Sequence, residues 1–171
     1  MAHLQRNKVK QVLGVVDLVH SINSLRLAEE IESQAGRMGR RIPVLLQVNA
    51  SEEKSKYGVA VGAAVHLAEQ IDSMEHLQLV GLMTMAPISD DPQTPRFVFE
   101  RTRELFEEMR WHKIGKAALR HLSMGMSQDY EAAILAGSTM LRIGTALFGD
   151  QAQPDEQTED VDLDAKLRKK E

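Results

Sequence analysis

The sequence contains no cysteine, one tryptophan and only 4% aromatic residues among its 171 positions. Without cysteine the chain has no disulfide scaffold, no thiolate metal site and no cysteine nucleophile. No apolar run approaches the ~20 residues of a membrane-spanning helix, and the first eight residues lack the apolar segment of a secretory signal. We therefore expect a cytoplasmic protein that does not bind membranes.

Most of the chain also has no excess of positive or negative charge. The sequence has 21 Lys and Arg against 25 Asp and Glu, a net charge of −4. Residues 150–171 carry eight acidic and four basic side chains, so residues 1–149 are neutral. A neutral body has no long-range field that attracts nucleic acid. We expect one domain over residues 1–149 and a disordered charged tail over residues 150–171.

Motifs for several common chemistries are lacking. There is no Gly-x-Gly-x-x-Gly, Walker loop or Gly-x-Ser-x-Gly motif. The six histidines include no pair with metal-ligand spacing on one helical face. These absences disfavour a nucleotide-binding protein, a serine hydrolase and a metal site.

What the sequence does contain is an alternation of short apolar runs with amphipathic patterns. The runs predict strands at residues 15–20, 44–48, 79–85, 119–123 and 140–144. Helical patterns occupy residues 6–13, 25–36, 63–71, 97–109 (started by Pro95) and 130–136. Repeated βα units predict a parallel α/β sheet, which suits either an open doubly wound fold or part of a barrel. A complete (β/α)₈ barrel needs at least ~200 residues, so we expect only a partial barrel if the second architecture is correct.

Two polar sites follow predicted strands, where ligands bind in parallel α/β folds. Ser127 comes after a glycine-containing turn and opens a helical pattern, so it suits either helix capping or anion binding. Arg142 lies within an apolar run and needs a polar partner, which could be an internal carboxylate or a ligand. Gly144 and Thr145 follow it and can present N–H groups and a hydroxyl.

A third polar stretch, residues 47–58, also follows a predicted strand and contains Asn49 and Lys56. A desolvated lysine can react with carbonyl groups. A lysine in a polar loop can equally be an ordinary solvated side chain, and the sequence alone leaves both interpretations open.

Taken together, residues 3–8, 16–21, 48–58, 81–83, 123–127 and 142–149 resemble the pyridoxal-phosphate homeostasis proteins, single-domain relatives of the alanine racemase N-terminal barrel. The resemblance implies a TIM-type barrel that binds pyridoxal 5′-phosphate (PLP) as a carrier or buffer in vitamin B6 balance. It implies that Ser127, Gly144 and Thr145 hold the phosphate, that Arg142 meets the pyridine nitrogen, and that Asn49 and Lys56 lie near the site. PLP-dependent apoenzymes are possible partners.

The chain departs from the family pattern in one respect. The lysine that bonds the cofactor lies in the family on a first strand, and neither that strand nor the next βα unit is recognisable here. We therefore expect a partial barrel lacking the first two βα units, with non-covalent cofactor binding and self-association through open sheet edges. Alternatives are a non-functional or partner-dependent fragment, an amino-acid racemase, and an unrelated phosphate-binding module.

Overall fold

The computed structural model describes residues 4–53 and 57–149. The helices are α1 (Val9–Leu13), α2 (Leu25–Arg37), α3 (Val61–Asp72), α4 (Gln93–Trp111), α5 (Tyr130–Leu135) and α6 (Thr145–Phe148). The strands are β1 (Val19–Ile22), β2 (Ile42–Asn49), β3 (Val59–Ala60), β4 (Leu77–Met83), β5 (His121–Met126) and β6 (Met140–Arg142). The predicted tail, residues 150–171, lies outside the described residues.

The sheet is parallel throughout, in the order β1-β2-β4-β5-β6, with the short β3 added beside β2. Apart from the short β3, each strand lies beside the one before it, without the reversal that marks a doubly wound sheet. The expected partial barrel is therefore confirmed. Within the described residues β1 pairs only with β2 and β6 only with β5, so both edges of the sheet lack a further strand.

A hydrogen bond across the inside of the sheet shows that it curls. The Nδ1 atom of His20, on β1, lies 3.0 Å from the Oγ atom of Ser123, on β5. Strands β2 and β4 lie between them. In a flat sheet, three strand spacings of about 4.8 Å would separate β1 from β5 by roughly 14 Å. Two such short side chains can meet only because the sheet bends towards a barrel.

The outer face of the sheet is covered by helices and holds most of the core. Helix α2 shows how the sequence produces this layer: the Oγ atom of Ser24 accepts a hydrogen bond from the N–H of Leu27, which caps the helix. Helical periodicity then turns one apolar face inward. The principal buried side chains of this face are Leu27, Ile31, Val44, Leu46, Leu79, Phe99 and Met109.

A bulge in β4 changes which residues face outward. Val44 pairs with Leu79 and Leu45 with Gly81, so Val80 is the extra residue. Before the bulge Leu79 packs in the helix-covered core, and after it Leu82 does so too. The smaller inner cluster contains Val80 and Met83 from the same strand. The inner face is thus a narrow apolar patch beside the polar side chains described below.

Several predicted boundaries are wrong. The first strand begins at Val19, not at residue 15, because Val15 lies in a turn where its N–H donates to Val12 O and its side chain is 85% exposed. Helix α4 begins at Gln93, before Pro95, since proline fits the first helical turn. The strand β3 had no recognisable signal, being two residues long. Among the described residues, no helix has both the length and the apolar composition needed to cross a membrane.

Candidate cofactor cleft

Four of the predicted site residues come together at the carboxyl ends of β5 and β6. They line one open cleft of about 560 Å³, which falls in the range of small-molecule sites. Its lining residues are Ile88, Met126, Ser127, Gln128, Arg142, Ile143, Gly144 and Thr145.

Ser127 links the ends of these two strands. Its Oγ atom accepts hydrogen bonds from the backbone N–H groups of Gly144 and Ala146, both at 3.2 Å. The prediction that Ser127 opens a helix is wrong, because α5 begins at Tyr130. Asp129 stabilises the intervening turn instead, through a 2.6 Å hydrogen bond from Met126 N–H to its carboxylate.

This arrangement can bind an anion. The N–H groups of Gly144 and Ala146 converge on one point, and the hydroxyls of Ser127 and Thr145 line the same cleft. Converging N–H donors and hydroxyls suit the oxygen atoms of a phosphate group. The ends of the two strands therefore form an anion cradle in which Ser127 meets Gly144, 17 positions away in the chain.

Arg142 is partly buried and reaches inward from β6. Its Nη1 donates to Ser123 Oγ and its Nη2 to the carbonyl oxygen of Thr84, each at 2.8 Å. No internal carboxylate, one of the two predicted alternatives, is a hydrogen-bond partner of Arg142 within the described residues. Its Nε is buried and has no hydrogen-bond partner there either. A buried donor of this kind normally has an acceptor, so Arg142 retains one donor for a ligand.

Burial lowers the pKa of Arg142 to about 10, and the negative charge of Asp129 partly opposes this shift. That value is still far above neutral pH, so the guanidinium remains a cation and can only donate hydrogen bonds. Arg142 therefore offers a fixed positive charge at the base of the cleft.

Two residues beside Arg142 had no predicted role. Ser123 is fully buried, and its Oγ contacts both Arg142 and His20. Burial lowers the pKa of His20, and the positive charges of Arg142 and His121 lower it further. The available signal was a histidine and a serine inside strand-like apolar runs, but local sequence could not indicate that they meet.

Of the other two predicted residues, only Asn49 lies within the described part of the chain. Asn49 supports the loop after β2: its Nδ2 donates to Glu53 O at 2.8 Å, and its Oδ1 accepts from Ser51 Oγ at 2.9 Å. It does not line the cleft. Lys56 falls outside the described residues.

Comparison with known proteins places this geometry in a family. The model of the alanine racemase N-terminal domain matches residues 1–152. The chain belongs to this family. It is 40% identical over 151 residues to the pyridoxal phosphate homeostasis protein of Aquifex aeolicus, which confirms the resemblance found in the sequence.

Solved structures of similar sequence share the fold. An unknown protein from Bifidobacterium adolescentis matches with a TM-score of 0.82 at 39% identity, over 86% of this chain and 59% of its own. PipY of Synechococcus elongatus, solved with PLP bound, matches with a TM-score of 0.78 at 31% identity, over 87% of this chain and 68% of its own. The Aquifex match covers 88% of this chain but 65% of that protein, so the chain spans slightly less than two thirds of this family relative.

Proposed function

We propose that this chain binds PLP non-covalently in the cleft at the ends of β5 and β6 and serves in PLP homeostasis as a carrier or buffer. The observation that carries the proposal is the combination of an anion cradle with the buried, unpartnered Nε of Arg142 in one cleft. PLP has an anionic phosphate and a ring nitrogen that accepts a hydrogen bond. The names of its family relatives and the PLP-bound PipY structure support the same ligand.

In this proposal Ser127, Gly144 and Thr145 hold the phosphate. The hydroxyls of Ser127 and Thr145 donate to it, and the backbone N–H of Gly144 exchanges its present acceptor, Ser127 Oγ, for a phosphate oxygen. Hydrogen bonds to charged groups are about twice as strong as neutral ones. The phosphate therefore supplies most of the binding energy, and the ring contact supplies orientation.

Arg142 determines what the bound cofactor can do. Bound PLP provides an electron sink for carbanion chemistry, and its strength depends on a protonated ring nitrogen. Because Arg142 stays protonated and can only donate, it keeps that nitrogen unprotonated. This disfavours strong carbanion chemistry; a carrier is consistent with it, and so is an amino-acid racemase. Asn49 does not line the proposed site and Lys56 lies outside the described residues, and we keep both as weaker candidates.

The partners of such a carrier in the cytoplasm would be PLP-dependent apoenzymes that receive the cofactor. One observation favours a dependence of PLP binding on association with another chain. Strands β1 and β6 are paired on one side only within the described residues. Exposed strand edges promote pairing with other chains. We propose that stable binding requires another chain, or a second copy, along these edges. Light scattering with and without PLP tests this, and a stable monomer that binds PLP would contradict it.

The main test is titration with PLP, followed by absorbance, using Arg142→Met and Ser127→Ala. Loss of the charged donor should weaken PLP binding about 10- to 100-fold. Ser127→Ala should weaken PLP binding by about tenfold but leave pyridoxal, which has no phosphate, nearly unaffected. Arg120→Met is the matched control, since Arg120 is exposed at the opposite end of β5. Equal affinities for the wild type and the Arg142 and Ser127 variants would refute the assignment of the site.

A second measurement tests the non-covalent mode. Treatment of the PLP complex with borohydride fixes any bond between a lysine and the cofactor, and peptide mapping locates it. We expect no modified lysine. Modification of Lys56 would instead make it a covalent anchor.

A further inference from the structure

We infer that His20 and Ser123 are positioning residues that hold the Arg142 guanidinium in the orientation that leaves its Nε free for the ligand. The inference rests on the proposed function, because Arg142 is the group proposed to meet the ring nitrogen. Neither residue lines the cleft, so their effect would pass through Arg142.

The two terminal nitrogens of Arg142 are held from different strands. Nη2 donates to the carbonyl oxygen of Thr84, a backbone atom just after β4, and Nη1 donates to Ser123 Oγ on β5. Two anchored nitrogens fix the plane of a guanidinium. The Nε atom is then the buried donor left without a partner among the described residues.

The hydrogen bonds also determine the protonation of His20. Arg142 can only donate, so Ser123 Oγ must accept from it. The hydroxyl hydrogen of Ser123 is then available to His20 Nδ1, 3.0 Å away. Since the described contacts of Ser123 Oγ offer its hydrogen no other acceptor, we assign His20 as accepting at Nδ1, neutral, with its hydrogen on Nε2.

Each residue in this series of hydrogen bonds supplies the partner that its neighbour needs. Ser123 is fully buried, so its hydroxyl hydrogen needs an acceptor. His20 provides one from β1, and its neutral form adds no second positive charge beside Arg142. Removing His20 would leave the hydroxyl free to reorient, and removing Ser123 would release Nη1 directly.

The test compares PLP with its 1-deaza analogue, in which carbon replaces the ring nitrogen. The wild type should prefer PLP by about tenfold, the value of one hydrogen bond to a charged group. Ser123→Ala and His20→Leu should reduce that preference to about threefold or less, while inhibition by inorganic phosphate stays unchanged. His20→Gln should restore it, because the amide oxygen can accept from Ser123.

A merely structural role would not produce this pattern. Ser138→Ala is the matched control, since Ser138 Oγ contacts the carbonyl groups of Leu122 and Met124 but not Arg142. It should lower the melting temperature and preserve the preference for PLP. An unchanged preference in Ser123→Ala would overturn the inference.

The free protein provides an independent measurement. Nitrogen-15 NMR should find His20 in the neutral Nε2–H form, and exchange of the Arg142 side-chain N–H groups should be faster in Ser123→Ala than in the wild type. If the wild type binds no PLP but these results hold, the proposed function fails and the positioning inference survives. An Nδ1–H form of His20, or unchanged exchange, would overturn the inference whatever the binding result.

Discussion

The two faces of the curled sheet differ in composition and in what they contribute. The helix-covered outer face is apolar, with residues of β2 such as Val44 and Leu46 packed in one large core. The inner face has a small apolar cluster around Leu45 and Val80, and its polar groups are joined by hydrogen bonds. The outer face therefore supplies most of the stability, and the inner face supplies the chemistry.

Strand β2 shows how one segment serves both faces. Its residues are buried almost throughout, yet Val44, Leu46 and Val48 belong to the outer core and Leu45 to the inner cluster. Gln47 is also buried, and its Nε2 donates to Tyr57 O at 3.2 Å. Alternation along a strand separates the faces, since successive side chains point to opposite sides.

The largest effect is expected on the outer face. Phe99, in α4, is fully buried, and Phe99→Ala should lower the free energy of unfolding by about 3–5 kcal/mol because it leaves a cavity. Phe97→Ala is the matched control on the same helix. Phe97 is 58% exposed, so the free energy of unfolding of Phe97→Ala should fall by less than about 1 kcal/mol. Denaturant unfolding measures both, and equal losses would contradict a core confined to the buried side of α4.

The next largest loss of stability is expected at Gly81, where β4 and β5 approach each other closely. A Cβ atom on Gly81 would lie 1.9 Å from His121 O, so Gly81→Ala must force β4 away from β5. We expect a loss of about 1–3 kcal/mol in thermal or denaturant unfolding. Gly62→Ala in α3 is the control, because no atom lies within 4 Å of its added Cβ and alanine favours the helix. The control should be neutral or stabilising.

A smaller effect is expected where a polar group supports the inner face. Thr84 is fully buried, and its Oγ1 donates to Val48 O at 2.9 Å. Thr84→Val keeps the shape but removes the donor, which should cost about 0.5–1.5 kcal/mol of unfolding free energy. The carbonyl bond to Arg142 should remain, so the preference for PLP over its 1-deaza analogue should not change. A stability loss as large as that of Phe99→Ala would mean that the polar face also dominates folding.

The smallest effect is a loss of folding stability that is expected only at mildly acidic pH. The pKa of His20 lies below its ordinary 6.5 through burial and the charges of Arg142 and His121. The unfolded chain then binds the proton more readily, so stability should fall as pH drops below about 6.5 and should be unaffected above it. In His20→Gln the loss between neutral and acidic pH should be smaller than in the wild type. Identical pH profiles would show that His20 is not held in its neutral form.

The local sequence was sufficient for the elements that depend on their own residues. Continuous apolar runs identified β2 and β4, and helical periodicity identified α2. Ser127, Gly144 and Thr145 could also be selected because they follow or end strand-like runs, and Arg142 because it is a cation within one. The segment at Val15 misled the prediction, since an apolar pair in a turn has the same local pattern as the start of a strand.

Only the tertiary structure decided the rest. The curvature of the sheet brings His20 to Ser123, 103 positions away. Arg142 contacts the Ser123 hydroxyl within β5 and the Thr84 carbonyl just after β4, 19 and 58 positions away in the chain. A local sequence pattern cannot specify contacts across such separations. The sequence by itself identified most of the strands and helices, though not β3 or the start of β1, because periodic burial is a local property. The polar contacts inside the curled sheet depend on how all the strands pack together.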